Sequence, residues 1–296
     1  MLRAVSQAVL APAPFVAQHA RVQLDAFFLP VPAAGRRFCI ARWPERQAVR
    51  AWVLYVHPFA EEMNKSRRMA ALLSQALATQ GFGVLQLDLH GCGDSDGDFG
   101  NASWAQWLDD LLTLAAWAQA RQPAPVWWWG LRAGCLVAAE AAALREAPAH
   151  FLFWQPVISG TAALTQFLRL RVAGEALTGR GSQNTGTLRA LLQEGQALEI
   201  AGYQLPPCLA NGLDQSKLSL PDQSESLVWL EIANRPQPDL LPSSKAMLAS
   251  WQHARCRVHS AAVTGPAFWQ TTEIEEVPGL VLASTEALCG MTPSQP

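Results

Sequence analysis

Charge is scarce in this sequence of 296 residues: Asp, Glu, Lys and Arg make up 16%, and the formal net charge is -2. A chain so close to neutral offers no electrostatic case for nucleic acid or an anionic membrane surface as a partner. Cysteines are six, scattered, with no C-x-x-C pair and no His/Cys cluster. Neither a disulfide framework nor a metal site is expected; the thiols read as reduced core residues of a cytoplasmic protein. No run is long and apolar enough to form a transmembrane segment. The opening "MLRAVSQAVLAPAPFVAQHA" carries Arg3 and a modestly apolar stretch. Gln7, Pro12 and Pro14 interrupt it, so it reads as a loose arm rather than a signal peptide. Repeats, low-complexity tracts, a P-loop and a dinucleotide fingerprint are all missing, so no cofactor is implied.

What the chain does have is apolar bulk. Half of it is hydrophobic, enough for the core of one α/β domain with an insertion. "RVQLDAFFLP" and "RRFCIARWP" read as an antiparallel pair with Gly35 in the turn. Strand-like and helix-like stretches then alternate. "AVRAWVLYVH" is followed by "KSRRMAALLSQALATQG", with Gly81 as its stop, and "FGVLQLDLH" by a helix that Ser103 caps. "PVWWWG", "AGCLVAAEAAALREA" and "HFLFWQPV" continue the alternation. It predicts a mostly parallel sheet with helices on both faces. The rhythm breaks between Ile158 and Gln223 and returns with "SLVWLEIA", a helix over 243–253, "RCRVHSAAV" and a helix over 274–288. The expected organisation is a core of residues 1–157 and 224–296 with a cap over 158–223, helical in "TQFLRLRVAGEAL" and irregular in "LPPCLANGLDQSKLSLPDQ".

Three turns at strand ends carry the chemistry. "YVHPFA", "DLHGCGDSDGDF" and "GLRAGC" stand where an α/β-hydrolase fold places its oxyanion loop, a glycine-rich turn and its nucleophile elbow. Together with "LFWQPVISG", "LTQFLRLRVAGEAL" and "GPAFWQTTEI", they resemble the exosortase A system-associated hydrolases of type 2, over nearly the whole chain. That resemblance implies an α/β-hydrolase fold. It also implies a Gram-negative bacterium with exosortase/PEP-CTERM protein sorting beside exopolysaccharide genes, and a partner in that pathway. The family is named hydrolase for its fold, which leaves the chemistry open.

The elbow departs from a serine hydrolase. Between Gly130 and Gly134 it carries Arg132, a permanently protonated group with donors only, which cannot attack a carbonyl. The segment expected to hold a triad histidine reads "TGPAFWQ", with Phe268 near that place, and His259 falls inside the preceding strand. Asp239 in "RPQPDLLP" remains a candidate acid. If chemistry occurs, Cys92 or an activated water would act under His57, while Cys135 reads as a buried structural thiol and Ser95 as a local turn cap.

A cation at a helix N-terminus is unfavourable unless an anion meets it. Arg132 therefore demands a carboxylate, with Glu61, Glu62, Asp94 and Asp239 as candidates, or an acidic ligand. The expected ligand site comprises Arg132, Leu131, Phe59, Glu61, Glu62 and Asp94, under the cap, binding a small acidic molecule or a pathway protein.

Overall fold

The computed structural model describes residues 21–32, 34–178, 183–251 and 256–292; the N-terminal arm read from the sequence lies outside them. Strands β1 (Val22–Val31) and β2 (Gly35–Pro44) pair antiparallel across a turn in which Gly35 takes φ +85°. Then come β3 (Trp52–Val56), α1 (Glu61–Thr79), β4 (Gly83–Leu87), α2 (Trp104–Arg121), β5 (Val126–Leu131), α3 (Gly134–Arg145) and β6 (Ala149–Trp154). Ser103 caps α2 as expected, its hydroxyl accepting from the Gln106 N–H at 3.2 Å. Helix α1 starts four residues before the expected Lys65, because Glu61 and Glu62 occupy its first turn, where negative charge is favourable.

After β6 the chain forms α4 (Gly160–Thr178), α5 (Thr185–Gln193), the hairpin β7 (Leu198–Ile200) and β8 (Tyr203–Leu205), and α6 (Pro207–Gln215). The segment read as irregular is thus partly helical. Pro207 suits the first turn of α6, where its missing N–H is no loss, and Leu209, Ala210 and Leu213 form the buried face. In α4, Leu164 and Leu168 are buried, whereas Leu170 is half exposed. Finally β9 (Ser224–Ala233), α7 (Pro242–Trp251), β10 (Arg257–Thr264) and α8 (Pro278–Met291) complete the core. The last helix begins later than expected, at a proline, and leaves Ile274 exposed in the preceding loop.

The eight-stranded sheet has the order β1-β2-β4-β3-β5-β6-β9-β10, and every pair from β4 to β10 is parallel. Pleating divides the tryptophan run: Trp128 faces one apolar layer, Trp127 and Trp129 the other. The chain leaves β3 for β4 on one side and then returns to β5 on the other. This reversal opens a crevice beyond the carboxyl ends of β3 and β5, the position where open α/β sheets bind ligands.

Candidate functional site

The crevice is built around the turn after β5. Arg132 takes φ +56°, a left-handed conformation that costs an L-residue roughly 1–2 kcal/mol. The fold over-determines it. Its N–H donates to the Trp154 carbonyl at 3.0 Å, and its own carbonyl accepts from the N–H groups of Cys135 at 3.1 Å and Val157 at 3.3 Å. The two flanking glycines allow α3 to press against the sheet. A Cβ at Gly134 would strike the carbonyl oxygens of Val56 and His57, and one at Gly130 would meet the Cys135 backbone. The G-x-x-x-G spacing is therefore a steric requirement of a sharp strand-to-helix turn, with the middle side chain presented to the crevice.

That side chain enters a cleft of about 240 Å³, walled by α1, the elbow, α4, α6 and the loop after β10. The Arg132 Nε lies 3.3 Å from Glu62 Oε1, its Nη2 lies 3.3 Å from Gln166 Oε1, and its guanidinium sits over the Trp269 ring at 5.4 Å. Among the described residues Nη1 meets no acceptor. Of the four candidate carboxylates, Glu62 is the one that answers the arginine. Burial pushes the Glu62 carboxyl above its ordinary value, and the pull of Arg132 only partly restores it. Phe59, Glu61, Lys65, Phe167 and Leu213 complete much of the wall.

Two backbone N–H groups of cleft-lining residues stand unpaired among the described residues. These are the backbone N–H of the residue after the elbow tip, here Ala133, and one from the loop after β3, here Phe59. Both residues line the cleft, and neither N–H has an acceptor among the described residues. The cleft is therefore lined by a guanidinium and by two residues whose backbone N–H groups have no acceptor among the described residues.

The other expected partners and wall residues do not meet Arg132. Leu131 is a fully buried core residue of β5, facing the layer of Trp127 and Trp129 rather than the cleft. Glu61 lines the cleft, but its carboxylate accepts from the Tyr203 hydroxyl at 3.2 Å. Asp94 is exposed in the turn after β4, where its N–H donates to Asp88, and it does not reach Arg132. Asp239 is exposed and paired with Lys245, which together with the Leu240 N–H holds its carboxyl below the usual range.

Nor do the three candidate catalytic residues assemble: no hydrogen bond joins any two of Cys92, His57 and Asp239 among the described residues. Both His57 nitrogens are committed. Nδ1 lies 2.9 Å from the Pro58 carbonyl, to which it donates, and Nε2 accepts from the Leu89 N–H at 3.3 Å. Burial lowers its basicity further, and its two hydrogen bonds tie the ends of β3 and β4 together. Cys92 is buried, and burial together with the Asp88 and Asp110 charges raises its thiol well above its ordinary value, which disfavours the thiolate. Cys135 is buried completely behind the elbow. Cys135→Ala should lower stability by about 1 kcal/mol in urea unfolding, as a small void does, and leave the cleft intact; a loss of ligand binding in a folded Cys135→Ala protein would contradict this placement.

The sequence does not point to Trp269, Gln166 or Lys65 as part of the cleft. Lys65 lines the cleft with its ammonium on the Thr272 carbonyl, 3.0 Å away. Trp269 stands in the segment where a triad histidine was sought, beside the wholly buried Phe268. An aromatic next to that position was the available signal. Among the described residues no group of His, Cys, Asp or Glu gathers as a metal-binding set, and no helix is long and apolar enough to cross a membrane.

With this geometry in hand, the chain can be set beside known proteins. A family model described as serine aminopeptidase, S33 matches residues 47–190, which span β3 to α5. No curated protein matches in sequence. The fold is similar to Est1E from Butyrivibrio proteoclasticus, solved with ferulic acid bound: TM-score 0.61 and 14% identity, over 90% of this chain and 99% of that one. It is also similar to a thermostable carboxyl esterase from Bacillus coagulans, with TM-score 0.60 and 15% identity over 92% and 99% of the two chains. Mouse alpha/beta hydrolase domain-containing protein 10 gives 0.59 and 11% over 89% and 98%. The protein has the α/β-hydrolase fold, as the three turns of its sequence imply.

Proposed function

We propose that this protein is an α/β-hydrolase scaffold whose nucleophile elbow has become an anion anchor, and that it binds an acidic ligand in the cleft under α4 without hydrolysing it. The observation that carries this reading is Arg132. It is held at the elbow tip inside the cleft, its guanidinium only partly engaged. A guanidinium in such a place binds carboxylate or phosphate oxygens and activates nothing. The alternative reading, an ester or thioester hydrolase using Cys92 or a water under His57, is opposed by the buried neutral thiol and the fully committed imidazole.

The resemblance to exosortase-associated proteins supports a role beside PEP-CTERM sorting and exopolysaccharide synthesis, where the ligand would be a small acidic metabolite or a partner's acidic group. Six unpaired cysteines suit a reducing cytoplasm. A panel of p-nitrophenyl esters and thioesters, run beside fluorophosphonate and thiol-reactive probes, tests the reading. The expected result is turnover at the buffer rate and no serine labelling. Turnover that co-purifies with the protein and is lost in Cys92→Ala would establish the enzyme instead.

A further inference from the structure

We propose that the ligand is an amphipathic monocarboxylate whose head displaces Glu62 from Arg132 while its tail lies along Phe59, Phe167 and Leu213, so that Glu62 is a built-in competitor for the site. This rests on the anion-binding reading above. The ligand class follows from the walls. Around the guanidinium the cleft is mostly apolar, and Leu170, half exposed on α4, extends that surface outward. A small polar anion would leave this surface unused, whereas an alkyl or aryl tail would cover it. The charge count sets the valence: Glu61 and Glu62 stand against Lys65 and Arg132 in the same cleft, so a dianion would meet two carboxylates.

Glu62 has the character of a place-holder. Its single contact with Arg132 is long, at 3.3 Å, and not bidentate. Its side chain is 25% exposed, so it has a way out toward solvent. Burial already works against its charge. A ligand carboxylate would gain the guanidinium, including the Nη1 that meets no acceptor among the described residues, whereas Glu62, tethered on the first turn of α1, reaches Nε alone. The charged groups facing Glu62 are Glu61 and Lys65 on its own helix and Arg132 at the elbow; α4 contributes neutral Gln166 and the loop after β10 contributes Trp269 and Gln270.

Protonation of Glu62 removes the competitor. Affinity for a carboxylate should therefore rise as pH falls from neutrality toward the raised Glu62 value, until the ligand itself protonates. A carboxyl whose folded value lies above its unfolded one loses its share of stability as pH rises through the folded value. Glu62→Gln is thus expected to fold at least as well as the parent at neutral pH.

Calorimetric titration with octanoate, acetate and octanol, on the parent, Glu62→Gln and Arg132→Ala, tests the proposal. Octanoate should bind the parent on the order of a hundredfold tighter than acetate, through its buried methylenes. Glu62→Gln should bind it roughly tenfold tighter still and lose the rise at low pH. Octanol binding as well as octanoate would overturn the proposal. If octanoate binding needs Arg132 but Glu62→Gln gives no gain, the competitor role fails while the anion site stands. If no carboxylate binds either the parent or Glu62→Gln, the anion-binding reading itself fails.

Discussion

Asp110→Ala should lower the free energy of unfolding by about 3–5 kcal/mol, the cost of stranding a buried charge. Asp110 on α2 meets Arg37 on β2 at 2.7 Å, with side chains 1% and 0% exposed. Its second oxygen accepts from the His90 N–H at 2.7 Å, so one carboxylate ties a strand, a helix and the turn after β4 together. Arg37 also donates to the Ala34 carbonyl at 2.8 Å. Burial nonetheless pushes the Asp110 carboxyl up against the pull of Arg37, so desolvation outweighs attraction. Replacing both members, Arg37→Met with Asp110→Leu, should recover most of the loss in urea unfolding. A single-mutant loss under about 1 kcal/mol would show that the aspartate is not held as an ion.

Arg132→Ala should reduce octanoate affinity by at least about thirtyfold, or about 2 kcal/mol, because it removes the charged partner of a partly desolvated carboxylate. Stability should change little. The backbone of the elbow is fixed by three main-chain hydrogen bonds and the packing of its glycines, not by the guanidinium. In the parent, affinity should also fall as salt is raised, though less than for a surface site, since the Arg132 side chain is 15% exposed. Equal binding by Arg132→Ala would place the carboxylate elsewhere.

The parts of this arrangement legible in the sequence are those that local sterics decide. Gly130 and Gly134 mark the elbow because any Cβ there would strike the neighbouring backbone, and the alternation of strands and helices announces the parallel sheet. The demand of Arg132 for a carboxylate was also readable, from charge at a helix start. Which carboxylate was not, because it turns on where α1 begins. With Glu61 as the first helical residue, Glu62 stands beside buried Met63 and Ser66 at the cleft wall, while Glu61 turns to Tyr203. His57 was placed correctly at the end of a strand, yet its role depends on Pro58 and the distant Leu89, which decide that both nitrogens are occupied. Trp269 and Gln166 come from a loop and a helix far from the elbow in sequence, and only the packing of α4 and the loop after β10 brings them to the guanidinium. Helix α6 was hidden by its prolines and Gly212, which suppress the helical pattern without preventing the helix.

The decisive contact is the one between the Arg132 guanidinium and the ligand. Its side-chain Nε–H resonance, assigned by its disappearance in Arg132→Ala and followed by NMR during an octanoate titration, reports this directly. The expected result is a saturable shift of that resonance with the same concentration dependence as heat release, reproduced at lower ligand concentration in Glu62→Gln. An Nε–H signal that stays in place while octanoate saturates the protein would contradict the assignment of Arg132 as the anion anchor.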